Sequence, residues 1–141
     1  MSAYADTSFL VSLYVADANS AAAAYEMARL PLPVIVTSLG ELELENAIQL
    51  RIFRNQIASL ERRPLALFHA DVDARVVTIH PLSDAIYAEA RRLSSRWTSR
   101  FGSRTLDILQ VAAAIVLGAD SFHTFDDRQK KLAKAAGLVC R

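Results

Sequence analysis

Short apolar runs alternate with longer helix-like stretches along this chain, and this alternation is the strongest constraint on its fold. The apolar runs predict strands at residues 4–5, 34–36, 76–79, 121–124 and 138–139. The stretches between them predict helices at residues 8–29 (broken near 17–19), 38–54, 56–73, 83–101, 105–117 and 127–136. Strands that alternate with helices favour a parallel sheet covered on both faces. We therefore expect an α/β fold, a three-layer α/β/α sandwich around a short, mainly parallel central sheet.

Length and composition exclude several other classes of protein. The chain has 141 residues, 52% hydrophobic and 22% charged, which predicts one folded domain over residues 1–141 rather than a disordered segment. The formal net charge of +1 excludes a strongly basic DNA-coating protein. A lone Cys140 excludes an internal disulfide and a thiolate metal site. No apolar run reaches the roughly 18–20 residues of a membrane span, so we expect a cytoplasmic protein with no membrane partner.

Two acidic side chains follow predicted strands. Asp6 comes directly after the first strand, and Asp126 comes shortly after the fourth, at the start of the last helix. Each carboxylate is suited to cap the helix that follows it. Both also lie at the carboxyl ends of predicted parallel strands, where open α/β sheets bind ligands. The sequence leaves these two interpretations open for each residue.

A glutamate lies within the apolar arc of the helix predicted at 38–54. At 100° per residue the arc contains Leu39, Leu42, Ala47, Leu50 and Phe53. Glu43 falls inside this arc, so we expect it to point toward the core, whereas Glu41 and Glu45 fall on the opposite side. Alternatively, Glu43 lies at the rim of the arc with a buried stem and a hydrated carboxylate.

The helix predicted at 105–117 is apolar on every side, which indicates that it is buried. Asp107 and Gln110 are its only strong polar interruptions. Asp107 is suited to complement the helix dipole from the first turn, with Ser103 or Thr105 as the N-cap. The alternative is a role in a site shared with Asp6, Glu43 and Asp126.

Carboxylates that gather without partners raise one another's pKa, so a cluster of them requires compensation. A hard divalent cation such as Mg²⁺ supplies it, because it prefers oxygen ligands. Such an ion activates water and neutralises the charge that develops on phosphorus. The four acids together therefore suggest metal-dependent phosphoryl chemistry.

Four segments, in order, resemble PIN domains, and more narrowly VapC-type toxin ribonucleases. The resemblance covers the chain from Asp6 to Gly137. The matching segments are Asp6-Thr7-Ser8-Phe9-Leu10, the helix start at residues 37–47, residues 104–112, and Thr124-Phe125-Asp126-Asp127-Arg128-Gln129.

The resemblance implies a Mg²⁺- or Mn²⁺-dependent endoribonuclease that leaves 5′-phosphate and 3′-hydroxyl ends. It further implies a homodimer held inactive by a VapB-type antitoxin. By motif match the catalytic and metal-binding acids are Asp6, Glu43, Asp107 and Asp126. Asp6 and Asp107 would be direct ligands, with Glu43 and Asp126 completing the site or acting through water. Asp127 is the alternative to Asp126, and the hydroxyls of Thr7 and Thr124 would orient the acids.

A row of arginines is a candidate RNA-binding surface. The helix predicted at 83–101 carries a buried stripe of Ile86, Ala90, Leu93, Trp97 and Phe101. Beside this stripe Arg92, Arg96 and Arg100 recur every four residues, and Arg104 follows them toward Asp107. The row is either an ordinary solvated face or a ridge that binds phosphates next to an acidic site that repels RNA.

Two other functions are compatible with the fold. One is a catalytically inactive PIN-like module that binds RNA or protein, which the presence of all four acids disfavours. The other is a phosphatase with Asp6 as nucleophile, but Ser8 stands where a second acid is expected. Apolar residues on the helices at 8–14 and 56–68 are candidates for dimerisation or antitoxin docking, and the sequence does not separate this role from core packing.

Overall fold

The computed structural model describes residues 1–59 and 61–141 and contains a parallel five-stranded sheet. The strands are β1 (Ala3–Ala5), β2 (Val34–Thr37), β3 (Val77–His80), β4 (Ser121–His123) and β5 (Val139–Cys140). Their order across the sheet is β3-β2-β1-β4-β5, and every neighbouring pair is parallel. Strands β2 and β3 are added on one side of β1, whereas β4 and β5 are added on its other side. This change of side creates a topological switch point between β1 and β4.

Helices connect the strands and cover the sheet. They are α1 (Thr7–Tyr14), α2 (Ser20–Met27), α3 (Ser38–Phe53), α4 (Arg63–Asp73), α5 (Asp84–Leu93), α6 (Ser99–Phe101), α7 (Thr105–Val116) and α8 (Asp127–Ala135). A π-helical turn, Ser94–Thr98, joins α5 to α6. Gly102 then ends α6 in the left-handed conformation at φ 64°, which only glycine adopts without strain. Over the described ranges, no helix has both the length and the apolar character needed to cross a bilayer.

Side chains of the strands alternate between two hydrophobic layers, as expected for period-two geometry. Tyr4 of β1 packs in the layer built with α5, α7 and α8, where its ring stacks on Phe122 at 5.5 Å. Its neighbour Ala5 packs in the opposite layer, with side chains of α1, α2, α3 and α4. The α/β/α sandwich predicted from the alternation of elements is therefore confirmed.

The helix predicted at residues 56–73 is shorter in the structure. It begins at Arg63, and residues 56–59 are not helical. Pro64 explains this start, because proline fits the first turn of a helix, where no intrahelical N–H donor is needed. Residue 60 of that prediction lies outside the described residues.

The predicted rotation of α3 is wrong. Leu42 and Phe53, expected to face the core, are 61% and 82% exposed, and Leu50 is also exposed. Leu44 and Ile48 are the side chains that α3 buries. Apolar residues occupy both sides of this helix, so their spacing alone does not decide which side packs on the sheet.

The apolar side chains of α1 are also not a free surface. Phe9, Leu10, Val11 and Tyr14 are all buried, so of the two interpretations for residues 8–14 core packing is correct and docking is not. On the predicted helix at 56–68, Leu67 is exposed, as a docking role requires.

Candidate active site

Asp6 lies at the end of β1 and starts α1. Its carboxylate is the N-cap of the helix, where Oδ1 accepts hydrogen bonds from the Phe9 backbone N–H at 3.1 Å and from Ser8 Oγ at 2.7 Å. The side chain is only 3% exposed. The capping interpretation is therefore correct for Asp6, and the same geometry places a buried carboxylate at the carboxyl edge of the sheet.

Ser8 connects this carboxylate to the neighbouring strand. Its Oγ lies 3.1 Å from Thr124 Oγ1 and accepts a hydrogen bond from the Phe125 backbone N–H at 2.9 Å. The loop after β4 is therefore tied to the start of α1.

Glu43 is held in the second turn of α3. That helix starts directly after β2, with Thr37 as its N-cap. Glu43 Oε1 accepts hydrogen bonds from Thr7 Oγ1 at 2.8 Å and from Gln110 Nε2 at 2.7 Å. The carboxylate therefore reaches across the edge of the sheet to α1 and α7, rather than entering the apolar core.

Asp107 and Asp126 lie at the starts of two other helices. Asp107 is in the first turn of α7 and partly buried. Asp126 is the N-cap of α8, and its Oδ1 accepts from the backbone N–H groups of Arg128 at 2.9 Å and Gln129 at 3.3 Å. Gln129 also donates from Nε2 to the Asp107 carbonyl oxygen at 3.1 Å, which joins the two helix starts.

The charges of these acids affect one another. Burial raises the pKa of Asp6 to about 6; hydrogen bonds from Thr124, Ser8 and the Phe9 N–H oppose the rise, and the charge of Asp126 adds to it. Burial also raises the pKa of Asp107, and the charges of Asp126 and Glu43 raise it further. The four carboxylates therefore share one electrostatic environment, which makes deprotonation of the group costly.

The donor set fits a hard divalent cation. It consists of carboxylate oxygens supported by hydroxyls, and no ion pair with Asp6 or Asp107 exists among the residues described. Within the same described ranges, no three Asp, Glu, His or Cys side chains converge closely enough to hold a metal ion as they stand. The arrangement is a set of neighbouring acids that form no ion pair among the described residues, not a closed ligand cage.

Asp126 and Asp127 differ in their surroundings. Asp126 is the residue whose charge raises the pKa of both Asp6 and Asp107. Asp127 is an exposed residue in the first turn of α8. Of these two neighbours, Asp126 is therefore the one whose charge acts on Asp6 and Asp107.

The predicted arginine row divides into different environments. Arg92 is exposed and pairs with Glu89 of its own helix. Arg96 lies over the Trp97 ring at 5.0 Å, and Arg100 lies over the Phe101 ring at 5.9 Å.

Only Arg104 of that row is electrostatically coupled to the acids. Its charge and that of Arg128 lower the pKa of Asp107, against the larger effect of burial. Both arginines line a small crevice together with Asp107 and Gln129.

Sequence reasoning missed the roles of Gln110, Ser8 and Arg128. Gln110 stood out as a polar interruption in an apolar helix, which was a usable signal, because a buried amide needs hydrogen-bond partners. Ser8 and Arg128 gave no such signal. Their roles depend on contacts between segments that are distant in the chain.

The comparisons with known proteins agree with this fold. The profile of the PIN domain family matches residues 3–135, and the chain therefore belongs to the PIN domain family. The solved structure of Mycobacterium tuberculosis VapC20, described as a sarcin–ricin loop cleaving toxin, is similar with a TM-score of 0.70 and 23% identity, covering 98% of this chain and 97% of that one. FitAcB from Neisseria gonorrhoeae gives a TM-score of 0.65 and 14% identity, with 98% and 95% coverage. A comparison with curated proteins gives no significant match.

Proposed function

We propose that this chain is a divalent-cation-dependent endoribonuclease and the toxin of a VapBC-type toxin–antitoxin pair. In this proposal residues 1–141 form one nuclease domain that acts in the cytoplasm. The observation that carries it is the group of Asp6, Glu43, Asp107 and Asp126, whose charges meet at the switch point of a PIN-domain sheet without a basic ion-pair partner in the described residues.

Asp6 and Asp107 would hold the Mg²⁺ or Mn²⁺ ion directly, with Glu43 and Asp126 completing the site. When bound, the cation supplies activation of water and neutralises charge on the phosphate that is attacked. Asp6 needs little rearrangement for this role, because its Oδ1 is already fixed by Ser8 and the Phe9 N–H.

RNA would approach the site from the side that carries Arg104 and Arg128. Arg104 and Arg128 flank Asp107 and would bind phosphates close to the acids, which otherwise repel the RNA backbone. Arg92, Arg96 and Arg100 would extend this surface along the helices before α7. Hydrolysis would leave 5′-phosphate and 3′-hydroxyl ends, as the family resemblance implies.

A VapB-type antitoxin and a second copy of the chain are the proposed protein partners. Support comes from the apolar side chains that the structure leaves exposed, chiefly Leu42, Leu50 and Phe53 of α3 and Leu67 of α4. Exposed apolar clusters commonly mark protein interfaces.

The test uses purified chain without antitoxin and a panel of structured RNAs, including a sarcin–ricin loop hairpin because VapC20 cleaves that loop. We expect cleavage with Mg²⁺, none with EDTA, and none by Asp6→Asn or Asp107→Asn. Cleavage that is unaffected by EDTA and by both substitutions would exclude the metal mechanism. RNA binding with no cleavage of any RNA would favour an inactive binding module.

A further inference from the structure

A chain of buried hydrogen bonds ends on one oxygen of Glu43. It comprises Thr37, Tyr4, Gln110, Thr7 and Glu43, here called the Gln110 network. Thr37, Tyr4 and Gln110 are each at most 2% exposed, although they come from β2, β1 and α7. A fully satisfied polar network at such depth fixes its members in one arrangement.

The direction of every hydrogen bond in this network is determined. Tyr4 donates its only hydroxyl proton to Gln110 Oε1, which can only accept. The contact of 3.3 Å between Thr37 Oγ1 and Tyr4 OH is therefore donated by Thr37. Burial raises the pKa of Tyr4 well above its ordinary value, so the phenol remains a donor.

The same logic fixes the orientation of the Gln110 amide. Its Oε1 faces the Tyr4 hydroxyl, so Nε2 faces the other way and donates to Glu43 Oε1 at 2.7 Å and to Thr7 Oγ1 at 3.0 Å. If the Gln110 amide were rotated by 180°, its carbonyl oxygen would face the Glu43 carboxylate and its NH₂ group would face the Tyr4 hydroxyl, which points its proton toward it.

Two donors therefore occupy Oε1 of Glu43, namely Gln110 Nε2 and Thr7 Oγ1. In the described part of the chain, Oε2 accepts no hydrogen bond. The two oxygens of this carboxylate thus have different environments: Oε1 is held by two donors, whereas Oε2 has no hydrogen-bond donor among the described residues.

We propose that Gln110 and Tyr4 are positioning residues that hold Glu43 Oε1, so that Glu43 serves the cation site through Oε2 alone. This inference rests on the proposed function. Gln110 acts by direct contact with Glu43, and Tyr4 acts through Gln110. Hydrogen-bond partners of metal-binding carboxylates typically change metal affinity or activity about 10- to 100-fold when removed.

The experiment measures Mn²⁺ affinity by calorimetry for the wild type, Gln110→Met and Tyr4→Phe. We expect about 10-fold weaker binding for Gln110→Met and about 3-fold weaker binding for Tyr4→Phe, which keeps the ring that stacks on Phe122. With RNA, kcat falls in the same order and KM is unchanged, because neither residue lies where RNA would bind.

Tyr14→Phe is the matched control. Tyr14 also donates its hydroxyl to a carboxylate, Asp71 Oδ2 at 2.6 Å, but in contact with α4 rather than with the acidic site. We expect Tyr14→Phe to lower thermal stability in EDTA to a similar extent as Tyr4→Phe, with wild-type Mn²⁺ affinity.

The outcomes distinguish failure of the positioning role from failure of the proposed function. If the wild type binds Mn²⁺ and cleaves RNA, and Gln110→Met and Tyr4→Phe do so equally well, only the positioning role is overturned. Equal weakening by Tyr14→Phe also overturns it, because the effect would then follow from lost stability. Wild-type protein that binds no Mn²⁺ overturns the proposed function and this role with it.

Discussion

The two sides of the acidic site are built differently. On one side Asp6 and Glu43 are held by side-chain donors: Ser8 binds Asp6, whereas Thr7 and Gln110 bind Glu43. These donors are part-buried or buried, and they connect elements that are distant in sequence. This half of the site is set by folding.

The other side is held by the starts of two helices and is more open. Asp126 is exposed and bound by backbone N–H groups, and Asp107 is partly buried without a described side-chain donor. Arg104 and Arg128 add positive charge there. We infer that the first half is preorganised, whereas the second responds to the cation and to RNA.

The largest expected effect comes from removing a direct ligand. Asp6→Asn and Asp107→Asn should each reduce cleavage by more than about 100-fold, because several kcal/mol of charge stabilisation is lost. Asp126→Asn should cost about 10-fold, the value typical of a supporting residue around a metal. Single-turnover cleavage measures all three, with Asp73→Asn, an exposed residue on α4, as control. Equal losses for Asp6 and Asp126 would contradict the distinction between the direct ligands and the supporting residue.

The second prediction concerns the stability of metal-free protein. The pKa of Asp6 rises from 3.8 to about 6 on folding, so the folded state binds a proton more readily than the unfolded state. Stability from this group is present at low pH and is lost as the pH rises through about 6. Asp6→Asn should therefore exceed the wild type by up to about 3 kcal/mol at pH 8, and match it below about pH 4.

Urea unfolding in EDTA across that pH range measures the difference. Added Mg²⁺ should stabilise the wild type and leave Asp6→Asn unchanged. A wild type that becomes more stable than Asp6→Asn as the pH rises without metal would contradict the sign of this prediction.

The third prediction concerns RNA binding by the row of arginines that leads to Asp107. Replacing Arg96 and Arg100 with Glu should weaken binding about 10-fold and make it less dependent on salt, because fewer phosphates are neutralised. The matched control is Arg62→Glu with Arg63→Glu, which changes the net charge equally at the start of α4. Fluorescence anisotropy over a salt series provides the measurement. Equal loss in both double variants would assign the effect to net charge.

The smallest effect is expected from Ser8. Ser8→Ala removes the hydroxyl that joins Asp6 to the Phe125 N–H, and should lower the free energy of unfolding by about 1 kcal/mol at neutral pH. Ser95→Ala, at an exposed position in the π-helical turn, should change it little. Comparable effects from both would mean that the preorganised half does not depend on this hydroxyl.

The alternation of strands with helices and the positions of the acidic residues could be predicted from the sequence, because both depend on local patterns. The short apolar runs identified all five strands, and the positions of Asp6 and Asp126 after β1 and β4 followed from them. The rotation of α3 was not readable, since Leu42 and Leu44 are equally apolar and only tertiary contacts bury the second.

Side-chain contacts across the sheet could not be predicted from the sequence either. Gln110 was visible as a polar residue in an apolar helix, but its partners Tyr4 and Glu43 lie 106 and 67 residues away in the chain. No periodicity encodes such a contact. The role of Arg128 likewise depends on how α8 meets α7.

Diffraction from crystals soaked in MnCl₂ shows whether these acids hold a cation. We expect an anomalous Mn²⁺ peak bonded to carboxylate oxygens of Asp6 and Asp107, with Glu43 contributing through Oε2. Crystals of Asp6→Asn should lose this peak. A fully soaked wild-type crystal with no peak among these acids, or with Mn²⁺ bound only elsewhere, would contradict the account.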